Sequence, residues 1–282
     1  MESKLRPHYA TNHRPPLRVA IGGLGAIGRQ ITLSLDAGIP GLELCAVSAR
    51  DFDKAADFLA QLQSTPRLVT LPELAALADV VVECAPAAVF DEVSVPAIEA
   101  GRILVTMSSA ALLFRKNLIN RAAETGARII VPSGGIIGLD GLRAAAESDV
   151  QSVVLITRKS PRSLAGAPYL AKNYINVEQL AQATMVFEGN TLDAARAFPA
   201  NINVAATLSL AGIEPERMRV EIWADPAIEH NLQEVRVEAA AACFQLRMQS
   251  APLPSNPRTG SLTPLSAIAA LRALTAHLTI GG

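Results

Sequence analysis

Three glycines at fixed spacing carry the first legible chemistry in this chain. Gly23, Gly25 and Gly28 lie in Gly22-Gly23-Leu24-Gly25-Ala26-Ile27-Gly28, directly after the apolar run Leu17-Arg18-Val19-Ala20-Ile21. In a G-x-G-x-x-G turn between strand and helix, the first glycine makes the tight bend and the second lets a pyrophosphate approach the backbone. The third lets helix and strand pack closely. Gly23, Gly25, Ala26, Ile27 and Gly28 are therefore candidate contacts to a dinucleotide, NAD or NADP. The competing reading is a tight turn without a ligand. The context favours the nucleotide: Ile27, Ile31 and Leu35 recur at helical spacing, Gly38 is placed to end that helix, and the helix N-terminus would face the phosphates. About 20 positions on, an acid normally accepts hydrogen bonds from the adenosine ribose. The chain here reads Val47-Ser48-Ala49-Arg50-Asp51. Ser48 stands where the acid is expected and Arg50 is placed to meet a 2′-phosphate. Asp51 either takes the acid's role or caps the next helix, leaving Arg50 a solvated loop charge.

The elements needed to position such a turn follow in alternation. Leu42 to Val47, Val80 to Cys84, Ile103 to Thr106 and Ile129 to Val131 read as strands. Between them Asp53 to Leu62, a stretch started by Thr70 with Pro72 and Glu73, a stretch stopping at Gly101 and another ending near Gly126 read as helices. That winding predicts a parallel Rossmann-type sheet over residues 17–132. From about residue 149 longer strands take over, at Val150 to Arg158, Met185 to Glu188, Arg217 to Ala224 and Leu232 to Met248. They predict a mixed sheet in a second α/β domain over 133–254. The segment 255–282 opens with a Thr263-Pro264 cap, carries Leu265, Ile268, Leu271, Leu274 and Leu278 on one stripe, and is expected to pack back on the nucleotide domain.

Composition limits the function classes. With 282 residues, 50% of them hydrophobic, the chain can build two ordinary cores. A net charge of −1 and 4% aromatic content offer no nucleic-acid surface. Cys45, Cys84 and Cys243 are isolated in apolar runs, which reads as buried free thiols and no metal site. Met1 to Pro16 is a polar, basic leader, read as a disordered extension, and no stretch is apolar enough to span a membrane. The expectation is a cytoplasmic protein that handles a small molecule.

Four further stretches carry a family resemblance. Pro132-Ser133-Gly134-Gly135-Ile136-Ile137-Gly138-Leu139-Asp140, Thr157-Arg158-Lys159-Ser160-Pro161, Phe198 to Leu208 with Asn201-Ile202-Asn203-Val204, and Ser255-Asn256-Pro257-Arg258-Thr259 together resemble the L-aspartate dehydrogenase family. The likeness runs from about Leu17 to the end. It implies NAD(P)-dependent oxidation of L-aspartate through iminosuccinate to oxaloacetate and ammonia, a link to NAD biosynthesis, and a homo-oligomer, most simply a dimer. By motif, Gly135 falls at a cofactor-contacting backbone position where relatives usually have alanine, and Asn203 at a side chain near the nicotinamide. Dicarboxylate recognition needs cationic donors, for which Arg158, Lys159 and Arg258 stand in matching motifs. Ser133 with Gly134 and Gly135 reads as a linker turn whose backbone donors face the active cleft.

One position departs from the pattern. The family's catalytic histidine follows an Asp-Pro turn. Aligned on Asp225-Pro226 and Asn231, that histidine is Gln233. An amide can orient a substrate but does not titrate near neutral pH and cannot serve as a general base. His230 is three residues earlier, and in an extended strand it would face the other side from Gln233. His8 and His13 in the leader and His277 on the terminal helix are poorer candidates. The departure points to an enzyme better at reducing an imine, or acting on another substrate, than at deaminating aspartate. A non-catalytic NAD(P)-binding sensor is the alternative from another class.

Overall fold

The computed structural model describes residues 15–199 and 202–280, without the side chains of Pro257 and Arg258. Most of the leader, with His8 and His13, lies outside the described residues. Val19, Ala20 and Ile21 are wholly buried, as a strand covered on both faces requires. They form β1 (Leu17–Gly22), from which the chain runs through α1 (Ala26–Asp36), β2 (Leu42–Ser48), α2 (Phe52–Leu59), β3 (Arg67–Leu68), α3 (Leu74–Leu77), β4 (Val80–Glu83), α4 (Phe90–Glu99) and β5 (Ile103–Thr106). After α5 (Ser109–Leu113) come α6 (Lys116–Thr125) and β6 (Arg128–Ile130). The sheet order is β3-β2-β1-β4-β5-β6 and every pair is parallel. In this doubly wound arrangement ligands bind beyond the carboxyl ends of the strands.

The described residues divide into two units, one of residues 15–106, 118–130 and 267–280, the other of 107–117, 131–199 and 202–266. Residues 107–117 thus leave the nucleotide unit, which a boundary drawn at 132 did not anticipate. The reason is local. Ser109 Oγ donates to the Asn203 carbonyl (2.9 Å) and accepts from Thr207 Oγ1 (3.0 Å), tying α5 to α11 (Asn203–Leu210).

The second unit continues with α7 (Leu139–Ala146), β7 (Val150–Lys159), α8 (Pro161–Leu164), α9 (Pro168–Lys172), β8 (Thr184–Asn190), α10 (Thr191–Ala197) and α11. Then come β9 (Arg219–Ala224), β10 (Asn231–Ala239), β11 (Cys243–Ser250), β12 (Pro252–Leu253) and β13 (Asn256–Gly260). Its sheet is mixed, in the order β11-β10-β7-β9-β8, with only β7 and β9 parallel. The expected single strand from Leu232 to Met248 is a hairpin, turned at Ala240-Ala241-Ala242 and closed by the Ala239 N–H on the Ala242 carbonyl (3.0 Å). One face of this sheet, with Leu155, Val220, Ile222, Val235 and Val237, is a core shared with Leu142, Phe187, Phe198 and Leu208.

The C-terminal helix α12 (Leu262–Ala273) begins before Thr263-Pro264, so Ser261 rather than Thr263 precedes it. It ends at Ala273, where Leu274 turns out of the helix and Thr275 Oγ1 bonds the Pro40 carbonyl (2.9 Å). Ala267, Ile268 and Leu271 are buried, while Leu265 and Leu278 are exposed and His277 lies beyond the helix. The cysteines also differ from expectation. All three are free, but Cys45 and Cys84 are half-buried and Cys243 is exposed on β11.

Candidate active site

In the first unit each glycine of the turn has its own physical reason. Gly23 adopts φ +110°, where an added Cβ would sit 2.8 Å from the Cys84 carbonyl oxygen, and its N–H donates to the Ser48 carbonyl (2.9 Å). At Gly28 a Cβ would run into the Gly23 carbonyl oxygen. Gly25 is different. It is exposed, its φ of −70° suits any residue, and a Cβ there meets nothing within 4 Å. The protein does not require glycine at that point, whereas a pyrophosphate closing on the backbone does. Gly25 is also the N-cap of α1, and neither a capping side chain nor an acid in the first turn competes for the helix's amides. These residues fit an anionic dinucleotide.

The adenosine end is equally specific. Ser48 is buried, and Arg50 is exposed. Asp51 caps α2: its Oδ1 accepts from the Lys54 N–H (3.1 Å) and its Oδ2 pairs with Lys54 Nζ (2.9 Å). Those bonds hold its carboxyl below the usual carboxylate range. Asp51 is therefore committed to the helix. Sequence reasoning missed one member of this end of the sheet, Glu83, whose carboxylate is fully buried at the end of β4. Its Oε1 accepts from the Ala85 N–H (3.0 Å) and its Oε2 from Thr106 Oγ1 (2.7 Å), fixing the Cys84-Ala85 segment against which Gly23 turns. An acid closing the run Val80-Val81-Val82 was the available signal.

In the second unit strand register decides which candidates meet. Across the core face of the mixed sheet, Val235 opposes Leu155 and Leu155 opposes Val220, and the next row holds Gln233, Thr157 and Ile222. The row after that holds Lys159 beside Ala224. The face that is apolar along most of its length thus becomes polar in its last two rows. Gln233 and Thr157 are buried, and neither Gln233 Oε1 nor Thr157 Oγ1 has a protein partner. Buried polar atoms are almost always paired, and leaving one unpaired costs about 1–3 kcal/mol. Lys159 is 6% exposed, and burial pulls its ammonium down to about 8.

Arg158 does not join this group. Alternation along β7 sends it to the opposite face, where its guanidinium lies over the Trp223 ring at 4.9 Å and 3.9 Å from Asp225 Oδ2. His230 occupies a bend just before β10, so strand parity does not govern it, and its Nδ1 is buried without a partner. Asp225 forms the preceding turn, with its N–H on the Lys159 carbonyl (2.9 Å) and its Oδ1 accepting from the Ala227 N–H (2.9 Å).

Asn203 is the first residue of α11, and its amide spans residues 107–110. Its Oδ1 accepts from the Ala110 N–H (3.2 Å) and its Nδ2 donates to the Met107 carbonyl (3.3 Å). It clamps the segment after β5 and keeps one N–H for a ligand. Ser133 opens a turn closed by the Ile136 N–H (3.2 Å), with Gly134 at φ +63°. The Gly134 N–H, expected to face the active cleft, is instead taken by Ser266 Oγ (2.9 Å). A Cβ on Gly135 would make ordinary contact, 3.6 Å from Val204 Cγ2. Arg258 lies on β13 and its side chain is outside what is described. Among the described residues no group of three or more acids, histidines or cysteines is arranged to hold a metal.

Residues 23–132 match the family described as homoserine dehydrogenase, NAD binding domain, and residues 140–274 the family described as aspartate dehydrogenase, C-terminal. An L-aspartate dehydrogenase of Bradyrhizobium diazoefficiens is 43% identical over 94% of both chains. The chain belongs to the aspartate dehydrogenase family. L-aspartate dehydrogenase 3 of Bordetella bronchiseptica is 40% identical over 95% of this chain and 98% of its own. The crystal structure of aspartate dehydrogenase from Thermotoga maritima superposes with a TM-score of 0.71, at 28% identity, covering 94% of this chain and 99% of that one. Membership makes this chain an NAD(P)-dependent oxidoreductase acting on a CH–NH2 donor, in line with the glycine turn and the mixed-sheet domain.

Proposed function

We propose that this chain interconverts L-aspartate and its imine, with water then releasing oxaloacetate and ammonia. The observation that carries the reading is the polar end of the core face, where a buried lysine stands beside two buried, unpartnered polar atoms. An amino acid with two carboxylates needs a few fixed hydrogen-bonding groups, and the hydrolysis of its imine needs a group that exchanges protons, in a place otherwise closed to water. When bound, the dinucleotide supplies the redox step, taking a hydride, a proton with two electrons, from the substrate Cα. The protein's part in that step is positioning, through the glycine turn, the Glu83-braced segment and the Asn203 clamp.

Cofactor choice follows from the adenosine end. With Ser48 in the acid's place and Asp51 engaged by Lys54, no carboxylate remains on this strand end to reject a 2′-phosphate, and Arg50 is free to meet one. NADP(H) is accepted at least as well as NAD(H). The chain works as a homodimer in the cytoplasm, and its imine product connects it to NAD biosynthesis. Among the described residues no helix is long and apolar enough to cross a membrane.

The test is aspartate-dependent NAD(P)H formation with both cofactors. It is paired with the reverse reaction from oxaloacetate and ammonia, and with smaller 2-oxo acids offered ammonia or methylamine. Turnover of aspartate and oxaloacetate is expected. Reduction confined to another 2-oxo acid would move the activity to a different amine, the reading that Gln233 in place of histidine favours. Sedimentation of the purified protein tests the dimer.

A further inference from the structure

The reaction needs a base that Gln233 cannot provide. Water must lose a proton as it adds to the imine carbon, and an amide does not accept one. We propose that Lys159 is the general base that activates this water, with Gln233 and Thr157 orienting the water and the imine. The inference rests on the aspartate reading above. Three features place Lys159 in that role. On the core face it is the diagonal cross-strand neighbour of Gln233, since Gln233 opposes Thr157 and Lys159 lies two residues further along β7. Such neighbours have Cα atoms about 7–8 Å apart, within reach of long side chains. The side chain is buried, so a water held there is screened from bulk solvent. Beside it, Gln233 Oε1 and Thr157 Oγ1 carry hydrogen-bonding capacity that no protein group uses.

Electrostatics agree with the geometry. A solvated ammonium is a poor base near neutral pH, but burial lowers Lys159 to about 8, so about half of it is neutral at pH 8. Several charged groups on neighbouring elements have partners of their own or stand exposed. Asp225 accepts from Ala227 and faces Arg158, and Arg158 stacks on Trp223 across the sheet. Glu234 pairs with Arg236, α11 has no titratable residue, and Asp140 and Arg143 on α7 are exposed. Among the described residues, His230 at the bend before β10 is the titratable group whose contribution the variants below separate.

The step balances. The water oxygen bonds the carbon of the protonated imine as Nζ takes the water's proton, and Nζ returns that proton to the amine nitrogen. The C–N bond then breaks, ammonia leaves with the bonding pair, and the carbinol proton passes to Nζ. Imine cation, water and neutral lysine have become ketone, ammonia and lysinium.

The variants Lys159→Met, Lys159→Ala and His230→Gln test the assignment in the full chain. Lys159→Met should lose about 100-fold or more in kcat for aspartate while its NADH affinity, read by fluorescence, is unchanged. Wild-type kcat should rise through a limb near pH 8, His230→Gln should keep that limb, and Lys159→Met should lack it. In Lys159→Ala, methylamine and ethylamine should restore turnover in step with their basicity, a response a merely structural lysine would not give. The proposal is overturned if Lys159→Met keeps kcat within about five-fold or raises KM alone. It is equally overturned if the limb disappears with His230→Gln. If the wild type shows no aspartate turnover with either cofactor, the aspartate reading fails and takes the proposal with it.

Discussion

The nucleotide unit and the substrate unit build their sites from different materials. Around Gly23, Gly25 and Gly28 the working surface is backbone, and what matters is the absence of side chains. At the end of the mixed sheet the proposed working surface is side chains, Lys159, Thr157 and Gln233, brought together by the pairing of β7 with β10. A backbone site tolerates change only where the chain itself has room. A side-chain site trades stability for chemistry, because each buried polar group is one that a hydrophobic residue would replace at less cost.

The sharpest contrast lies within the glycine turn. Gly25→Val should weaken NADH and NADPH binding at least about 100-fold, equivalent to losing one or two charge-assisted contacts of about 1.5–3 kcal/mol each. The melting temperature should fall by little, since an added Cβ there meets no protein atom within 4 Å and the change is confined to a helix N-cap. Gly28→Ala should do the reverse and lower the melting temperature, because its Cβ collides with the Gly23 carbonyl. Equal behaviour of the two variants in titration and in thermal melts would erase the distinction between ligand-facing and packing glycines.

A second experiment probes the cost of the side-chain site. Lys159 is held below its usual range by burial, so the unfolded chain binds more protons than the folded one between about pH 8 and 10.5. Stability contributed through this residue is therefore lowest below pH 8 and recovers as pH rises through that window. Lys159→Met should stabilise the protein by up to about 3 kcal/mol at pH 7, with the gain fading toward pH 10. Chemical denaturation at both pH values measures it, and a destabilised Met variant would mean that a partner of the ammonium outweighs its desolvation.

Smaller effects are expected at the edges of both sites. If Arg50 meets the 2′-phosphate, Arg50→Ala should weaken NADPH by about 1.5–3 kcal/mol and leave NADH nearly unchanged. Equal losses for both cofactors would return Arg50 to an ordinary surface charge. Smallest of all, Gly135→Ala should shift stability by less than about 0.5 kcal/mol and keep cofactor affinity, since the added methyl finds normal van der Waals space. A marked loss of affinity would show that the cofactor approaches closer than a methyl allows.

The same contrast explains what could be read from the chain. The glycine turn, its strand and its helix were legible because their requirements are local and glycine is the residue that meets them. The parallel order followed from strict alternation of strand and helix. The hairpin of β10 and β11 was not legible, because Ala240-Ala241-Ala242 carries none of the Gly, Pro or Asn signals of a turn. The grouping of Lys159 with Gln233 and the exile of Arg158 to the other face depend on register between strands more than 70 residues apart in sequence, which no local pattern encodes. Asn203 stood out by motif as a candidate, yet its hold on residues 107–110 appeared only with the fold.

The cysteines offer a practical handle. Cys45 donates to the Val19 carbonyl (3.3 Å) and burial pushes its thiol up to about 11, so only about one molecule in a thousand presents a thiolate there at pH 8. Cys84 is raised as well, by burial and then by the neighbouring Glu83 charge. Cys243 stands exposed on the edge strand of the substrate unit. A maleimide dye should therefore attach there first without any mutagenesis, giving the wild-type chain a built-in position for a fluorescent reporter of events in that unit.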